Sequence, residues 1–165
     1  TRPRAAVLID SLADYLRAAI PRLRSDGGAE ATLAGQAEIV RAYLALMVAR
    51  MPRLSFSIEL PAELAALGCP PLMLLSLVEN AVKHGAEPKV GPVHVALQAR
   101  LDALGRLEVR VSDDGAGFGV SVGGTGIGLA NIRERLHQMH GERAALVLRA
   151  RPKGGVCATL TWPLD

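Results

Sequence analysis

Apolar residues recur along this chain with two different periods, and the change between them divides it. From 5 to 20, Leu8, Leu12, Tyr15, Leu16 and Ala19 fall at helical spacing, and Pro21 ends the run. Ser25-Asp26-Gly27-Gly28 reads as a loop. A second helix is expected over 33–50, with Thr32 as its N-cap and Pro52 as its close. Its stripe is Leu33, Ala37, Val40, Tyr43, Leu44 and Met47. Two such helices form an antiparallel hairpin that needs the rest of the chain, or a second copy, to cover its stripes.

From 53 onward the period shortens. Leu54, Phe56, Ile58 and Leu60 alternate with polar neighbours, the pattern of a half-buried strand over 53–60. Pro70-Pro71 opens a helix that runs to about His84, with Gly85 as its stop. Strands are expected at 92–100 and 106–112, a helix from Gly126 to Met139, and two closing strands at 144–150 and 155–162 around a turn at 152–155. The order β-α-β-β-α-β-β predicts an α+β domain, a mixed and mostly antiparallel sheet with both helices on one face. The expected division is a helical segment, 1–52, followed by a domain over 53–165.

Composition narrows the class. Half of the 165 residues are apolar and 21% are charged, which excludes a disordered chain. Tyr15, Tyr43, Phe56, Phe118 and Trp162 are the full aromatic set, too few for base-stacking platforms, so no nucleic-acid partner is expected. The formal net charge is +3, without a run of Lys or Arg. Cys69 and Cys157 are far apart, as expected of two reduced, buried thiols in a cytoplasmic protein. No apolar run approaches 18 residues, so any membrane anchor is expected in a missing N-terminal region. The chain opens on Thr1, as a fragment or a processed chain would.

Three islands carry the chemistry. Glu79-Asn80-Ala81-Val82-Lys83-His84 ends the helix begun at Pro71, and Asn80, Lys83 and His84 share one face. An amide, a cation and an imidazole there suit phosphate and metal, although a polar helix end complementing the dipole has the same composition. In Val111-Ser112-Asp113-Asp114-Gly115-Ala116-Gly117, a strand delivers a carboxylate into a glycine turn. There it can accept from an exocyclic amine while a flat ring lies on bare backbone; an ordinary Asp-Gly turn reads alike. The third island is Gly123-Gly124-Thr125-Gly126-Ile127-Gly128-Leu129, which runs into a helix and exposes N–H groups to an anion, or else is a connector. Its spacing is neither the dinucleotide fingerprint nor a P-loop.

Taken in order, the islands resemble the boxes of the GHKL superfamily of ATP-binding domains, which includes gyrase, heat-shock chaperone, histidine kinase and mismatch-repair protein. Residues 76–84 look like the N box, 113–117 the first glycine box and 124–129 the second. The strings Leu77-Val78-Glu79-Asn80-Ala81-Val82-Lys83-His84-Gly85 and Gly124-Thr125-Gly126-Ile127-Gly128-Leu129-Ala130-Asn131-Ile132-Arg133 are most similar to sensor histidine kinases of the LytS type. Val40-Arg41-Ala42-Tyr43-Leu44 and Arg50 resemble the helix that precedes the catalytic domain in that family.

The resemblance implies a Bergerat-type ATP-binding sandwich and two cofactors, ATP and Mg²⁺. It implies that Asn80 holds Mg²⁺, that Lys83 and His84 contact phosphate or ribose, and that Asp113 binds the adenine amine. Gly115 and Gly117 would shape the adenine slot. Gly124, Thr125, Gly126, Gly128 and Leu129 would cradle the triphosphate, with Arg133 near the phosphate end and a short lid over 117–123. Hydrolytic members carry a glutamate four residues before the asparagine; Ser76 stands there, which favours phosphoryl transfer. Glu79 is the candidate to polarise an acceptor imidazole. None of the four histidines, His84, His94, His137 and His140, lies in a phosphoacceptor context. The acceptor is therefore expected upstream or in another protein, 1–52 being a remnant of the dimerisation and phosphoacceptor region, with a response regulator and a homodimer as partners. Gly35 and Gln36 replace acids common in the family at the start of that helix. The competing readings are a non-catalytic or ATP-hydrolysing dimeric scaffold and a serine kinase of the anti-sigma type.

Overall fold

The computed structural model describes residues 32–70, 72–117 and 125–164. The helix expected at 5–20, its hairpin and most of the 117–123 lid lie outside the described residues. Helix α1 spans Leu33–Arg50, α2 Met73–Ala81 and α3 Thr125–His140; strands β1 to β5 are Leu54–Glu59, Val93–Leu101, Leu107–Asp113, Ala145–Ala150 and Val156–Trp162. The strands form a single sheet in the order β1-β2-β3-β5-β4. β1 and β2 are parallel, with α2 in the crossover that such a pair requires, and every other pairing is antiparallel. The mixed, mostly antiparallel α+β sheet expected from the pattern is present.

The alternation does what the period promised. Register sets Phe56 beside Val95 and Ile58 beside Leu97; Leu97 faces Val111, and Val109 and Leu146 face Leu160. These residues line the side against which all three helices pack. The opposite face is polar. There Arg100 and Arg110 flank Glu108, and Ser55 and Ser57 hold the two ring nitrogens of His94 at 2.8 and 3.0 Å. Cys69 is buried and its thiol is pushed up to about 12 by burial, whereas Cys157, expected to be buried, is half-exposed; neither is in a disulfide.

Helix α1 begins at the expected cap: Thr32 Oγ1 accepts from the Gly35 N–H at 3.1 Å. The next free N–H groups, on Leu33 and Ala34, donate to the carbonyls of Leu67 and Ala65, so the helix start is sewn to the loop after β1. Leu33, Val40, Leu44 and Met47 then enter the same core as Leu74, Leu77 and Val78 of α2.

One boundary differs. The helix expected to stop at Gly85 leaves α geometry at Ala81 and widens into a π turn over Val82–Ala86, closed by the Glu87 N–H on the Val82 carbonyl at 2.8 Å. Gly85 lies buried inside that turn and does not end the helix. The cause is spatial: the extra residue per turn brings Gly85 against the end of β3.

Leu44 is fully buried between α1 and the rest of the core. Leu44→Ala should lower unfolding free energy by about 2–5 kcal/mol in urea titrations. A loss within 0.5 kcal/mol, the range of surface substitutions, would mean that α1 is not part of this folding unit.

Candidate functional site

The row of side chains that β3 turns toward the helices is Leu107, Val109, Val111 and then Asp113. A carboxyl thus takes the last place in an apolar row, and Asp113 is 3% exposed. Burying such a group is costly unless hydrogen bonds receive it. Its Oδ1 accepts from the Gly115 N–H at 2.9 Å, and the Val156 N–H on neighbouring β5 also reaches the carboxyl. Burial still wins: it raises the Asp113 pKa above the usual carboxylate value, opposed by the two N–H groups and by Arg151.

Two glycines make this burial sterically possible. A Cβ on Gly85 would sit 2.5 Å from Asp113 Oδ1, and one on Gly115 would sit 2.1 Å from the Gly85 carbonyl oxygen. That carbonyl accepts from the Ala116 N–H at 2.9 Å. The π turn and the glycine turn therefore interlock backbone to backbone. The outer side is braced as well: Arg151 Nη1 donates to the Asp113 carbonyl at 2.8 Å, Lys89 Nζ to the Asp114 carbonyl at 2.7 Å, and the His94 N–H to Asp114 Oδ1 at 2.7 Å.

Beside this junction lies a cavity of about 220 Å³. Its polar side chains are Asn80 and His84 from α2 and the π turn, and Asp113 from β3. Leu77, Ala81, Val111, Leu129, Leu148, Val156 and Ala158 form an apolar wall, and Gly85 and Gly117 supply bare backbone. A concave apolar chamber with a few convergent polar groups is the ordinary form of a small-molecule site. The wall has room for a flat ring, and the buried carboxyl offers a hydrogen-bond acceptor beside it. The pKa of His84 is lowered, by burial first and by neighbouring Lys83 second, with Glu87 opposing.

The expected residues divide accordingly. Asn80, His84, Asp113, Gly117 and Leu129 come together around the cavity. Gly115 stands behind it, where it supports Asp113. Glu79 and Lys83 are exposed and do not line it; partial burial nevertheless raises the Glu79 pKa. Thr125, Gly126 and Gly128 form the first turn of α3, and Gly124 lies outside the described residues. Among the described residues no group of three or more His, Cys, Asp or Glu is poised for a metal ion. The pattern missed the apolar wall, because its members lie on five separate elements, and it read Gly85 as a stop. A glycine directly after a polar helix face was the available signal for close approach.

Comparison with known proteins agrees with this geometry. The family model of histidine kinase-, DNA gyrase B- and HSP90-like ATPases matches residues 71–165. The chain is 33% identical over 161 residues to the sensor histidine kinase YesM of Bacillus subtilis, covering 94% of this chain and 27% of that protein. It is 27% identical over 179 residues to the sensor protein LytS of Enterococcus faecalis, covering 98% of this chain and 29% of LytS. The chain thus spans between a quarter and a third of the length of these curated relatives. Its fold is that of the histidine kinase domain of the Erythrobacter litoralis EL346 blue-light activated histidine kinase, with a TM-score of 0.62 at 21% identity over 93% of this chain and 75% of that one. With the buried carboxyl, the asparagine helix and the sheet order in place, the chain belongs to the GHKL family of histidine kinase-, gyrase- and HSP90-like ATPases.

Proposed function

We propose that this chain is the ATP-binding catalytic module of a two-component sensor histidine kinase, which passes the γ-phosphoryl group of ATP to a histidine outside it. The observation that carries the reading is that Asp113 and Asn80, far apart in sequence, line one cavity. In this reading adenine lies against the apolar wall and its amine donates to Asp113. The triphosphate runs toward Asn80 and the first turn of α3, where the N–H groups and dipole of a helix start favour an anion. Asn80 offers a neutral amide oxygen with no carboxylate cluster around it among the described residues, a donor set that would suit a hydrated Mg²⁺ completed by phosphate oxygens. Asn80 would hold Mg²⁺ there, and the ion would supply charge neutralisation to the phosphates.

The transfer breaks the bond from the γ-phosphorus to the β–γ bridging oxygen, leaving ADP, and forms a bond to a ring nitrogen of the acceptor histidine. The other ring nitrogen then carries a more acidic N–H. Glu79, exposed next to Asn80 in the sequence and made more basic by partial burial, is the residue assigned to accept a hydrogen bond from it. Ser76 supports transfer over hydrolysis. Its hydroxyl is spent on the Leu72 carbonyl at 3.0 Å, and it does not line the cavity. Residues 1–52 are assigned to the dimerisation and phosphoacceptor region, and a response regulator to onward transfer. The catalytic module is assigned to the cytoplasm; no described helix is long and apolar enough to cross a membrane.

Asp113→Asn should weaken Mg²⁺–ATP binding by about 5- to 150-fold in titration calorimetry, the cost of turning a donor toward the adenine amine. The carboxylate is the accepting form, and its folded-state pKa is raised. Wild-type affinity should therefore fall as pH drops through that raised value, with a flatter profile in the Asn variant. For folding the sign is opposite: this carboxyl contributes stability below its ordinary pKa, and the contribution is lost as pH rises through the folded value. Wild-type affinity in Asp113→Asn refutes the adenine assignment.

Gly85→Ala should push the Asp113 carboxyl out of place. We expect at least tenfold weaker nucleotide binding and a lower Tm; unchanged values for both would show that the contact relaxes freely. The activity itself is tested on a longer chain that includes the upstream histidine. Labelling with γ-labelled ATP and Mg²⁺ should give acid-labile, base-stable phosphate, and Asn80→Asp should cut it at least tenfold without loss of helicity. Acid-stable phosphate would point to a hydroxyl acceptor and overturn the histidine assignment.

A further inference from the structure

Helix α2 carries the cavity's asparagine, and something other than its own caps holds it at each end. At the start, the backbone N–H of Leu72 donates to Gln36 Oε1 of α1 at 2.8 Å. Gln36 is 1% exposed, and its Nε2 has no hydrogen-bond partner among the described residues. Leu72 adopts φ 64°, the left-handed region that a leucine rarely occupies. At the far end, Arg53, in the linker between α1 and β1, spreads its guanidinium over three carbonyls. Nη1 donates to Gly91 at 2.9 Å, and Nη2 to Ala86 at 2.8 Å and Glu87 at 3.2 Å. These are the last carbonyls of the π turn and of the loop that follows it, the place where a helix end welcomes a cation. Arg50, in the last turn of α1, adds an exposed ion pair to Glu87 at 3.5 Å.

Neither Gln36 nor Arg53 lines the cavity. We infer that both are positioning residues for the nucleotide: they clamp α2 and its π turn, at start and finish, to α1 and its linker, so that nucleotide binding and the seating of α1 are energetically linked. This rests on the nucleotide reading of the cavity. The physical case has three parts. First, Arg53 fixes the turn that carries His84 and Gly85, and Gly85 in turn abuts Asp113. Second, a buried amide with an orphaned N–H₂ and a left-handed leucine are both costly, and both lie at the α1–α2 contact. Such costs persist where the surroundings over-determine a geometry, and they lower the barrier to a second seating in which they are relieved. Third, linkage is reciprocal: if the seating of α1 alters nucleotide affinity, nucleotide must alter the seating of α1 by the same factor.

The test uses the whole chain and three variants, Arg53→Ala, Arg53→Lys and Gln36→Met. Mg²⁺–ATP affinity is measured by calorimetry, Tm by circular dichroism, and amide exchange with and without nucleotide by mass spectrometry. We expect ATP to slow exchange in wild type over 47–54 as well as 82–87. Arg53→Ala should bind ATP about tenfold more weakly, and its 47–54 segment should no longer respond to ATP. Arg53→Lys should fall between, because one ammonium cannot span three carbonyls. Gln36→Met should lose affinity about threefold and speed exchange at 72–76. A merely structural role would lower Tm while leaving the affinity of folded protein and the exchange response intact, and that result overturns the inference. If wild type binds no ATP, the reading of the cavity fails and the linkage to nucleotide with it. Exchange without nucleotide then separates the two failures: tenfold faster opening at 82–86 in Arg53→Ala still supports the clamp, and unchanged opening removes that too.

Discussion

The structure turns on one carboxyl that an apolar row carries out of water. Asp113 follows Leu107, Val109 and Val111 on the inward side of β3, so the strand's period of two sends it under the helices. A carboxyl there demands donors, and main-chain N–H groups of Gly115 and Val156 supply them. Donors so close require the chain to turn at once after the strand. They also require the neighbouring helix to come near without a side chain in the way. Gly85 meets the second requirement, and the π turn delivers Gly85 to the spot. Each irregular feature around the cavity is thus a consequence of burying one charge-bearing group. Burial leaves that group more basic and dry, the condition under which hydrogen bonding discriminates most sharply among ligands.

Much of the fold was legible because the sheet is amphipathic. With helices on one side and mostly polar residues on the other, β1, β2 and β3 show clear alternation, and the element order was readable to within a residue or two. The same reasoning failed at Gly85. Local sequence cannot distinguish a glycine that ends a helix from one that lets a strand approach, since both follow polar residues and both favour a small side chain. The deciding fact is the position of Asp113, 28 positions later. The cavity was half legible for a related reason. Asn80, His84 and Asp113 announce themselves by chemistry, whereas Leu148, Val156 and Ala158 look like any other strand residues and become a wall only when β4 and β5 pair beyond β3.

Helix α1 carries a different lesson. Its stripe was visible, but the stripe of a helix does not name what covers it. Here the cover is α2 and β1, with Leu33, Val40, Leu44 and Met47 in the same core as the sheet. The matched family region begins at 71, yet the core that supports it reaches back to Leu33. A boundary at 52 marks a change of period; the packing continues across it. The carbonyls of Ala65 and Leu67 that receive the first N–H groups of α1 make the same point at the backbone level.

That continuity bears on how the site is divided. Its Asp113 end is sheet: Asp113, Val111, Val156 and Ala158 sit on paired strands whose hydrogen bonds resist displacement. Its asparagine end is helix, and α2 is only nine residues long before it widens. A helix that short has little stability of its own and takes its position from what it packs on. The sheet therefore fixes where a ring would lie, while the placement of Asn80 relative to that ring depends on Gln36, Arg53 and the Gly85 contact. A transferred phosphoryl group is sensitive to misplacement of an ångström. In the proposed reading, a helix with little rigidity of its own thus carries the group whose placement matters most, and its positional control comes from residues outside the cavity.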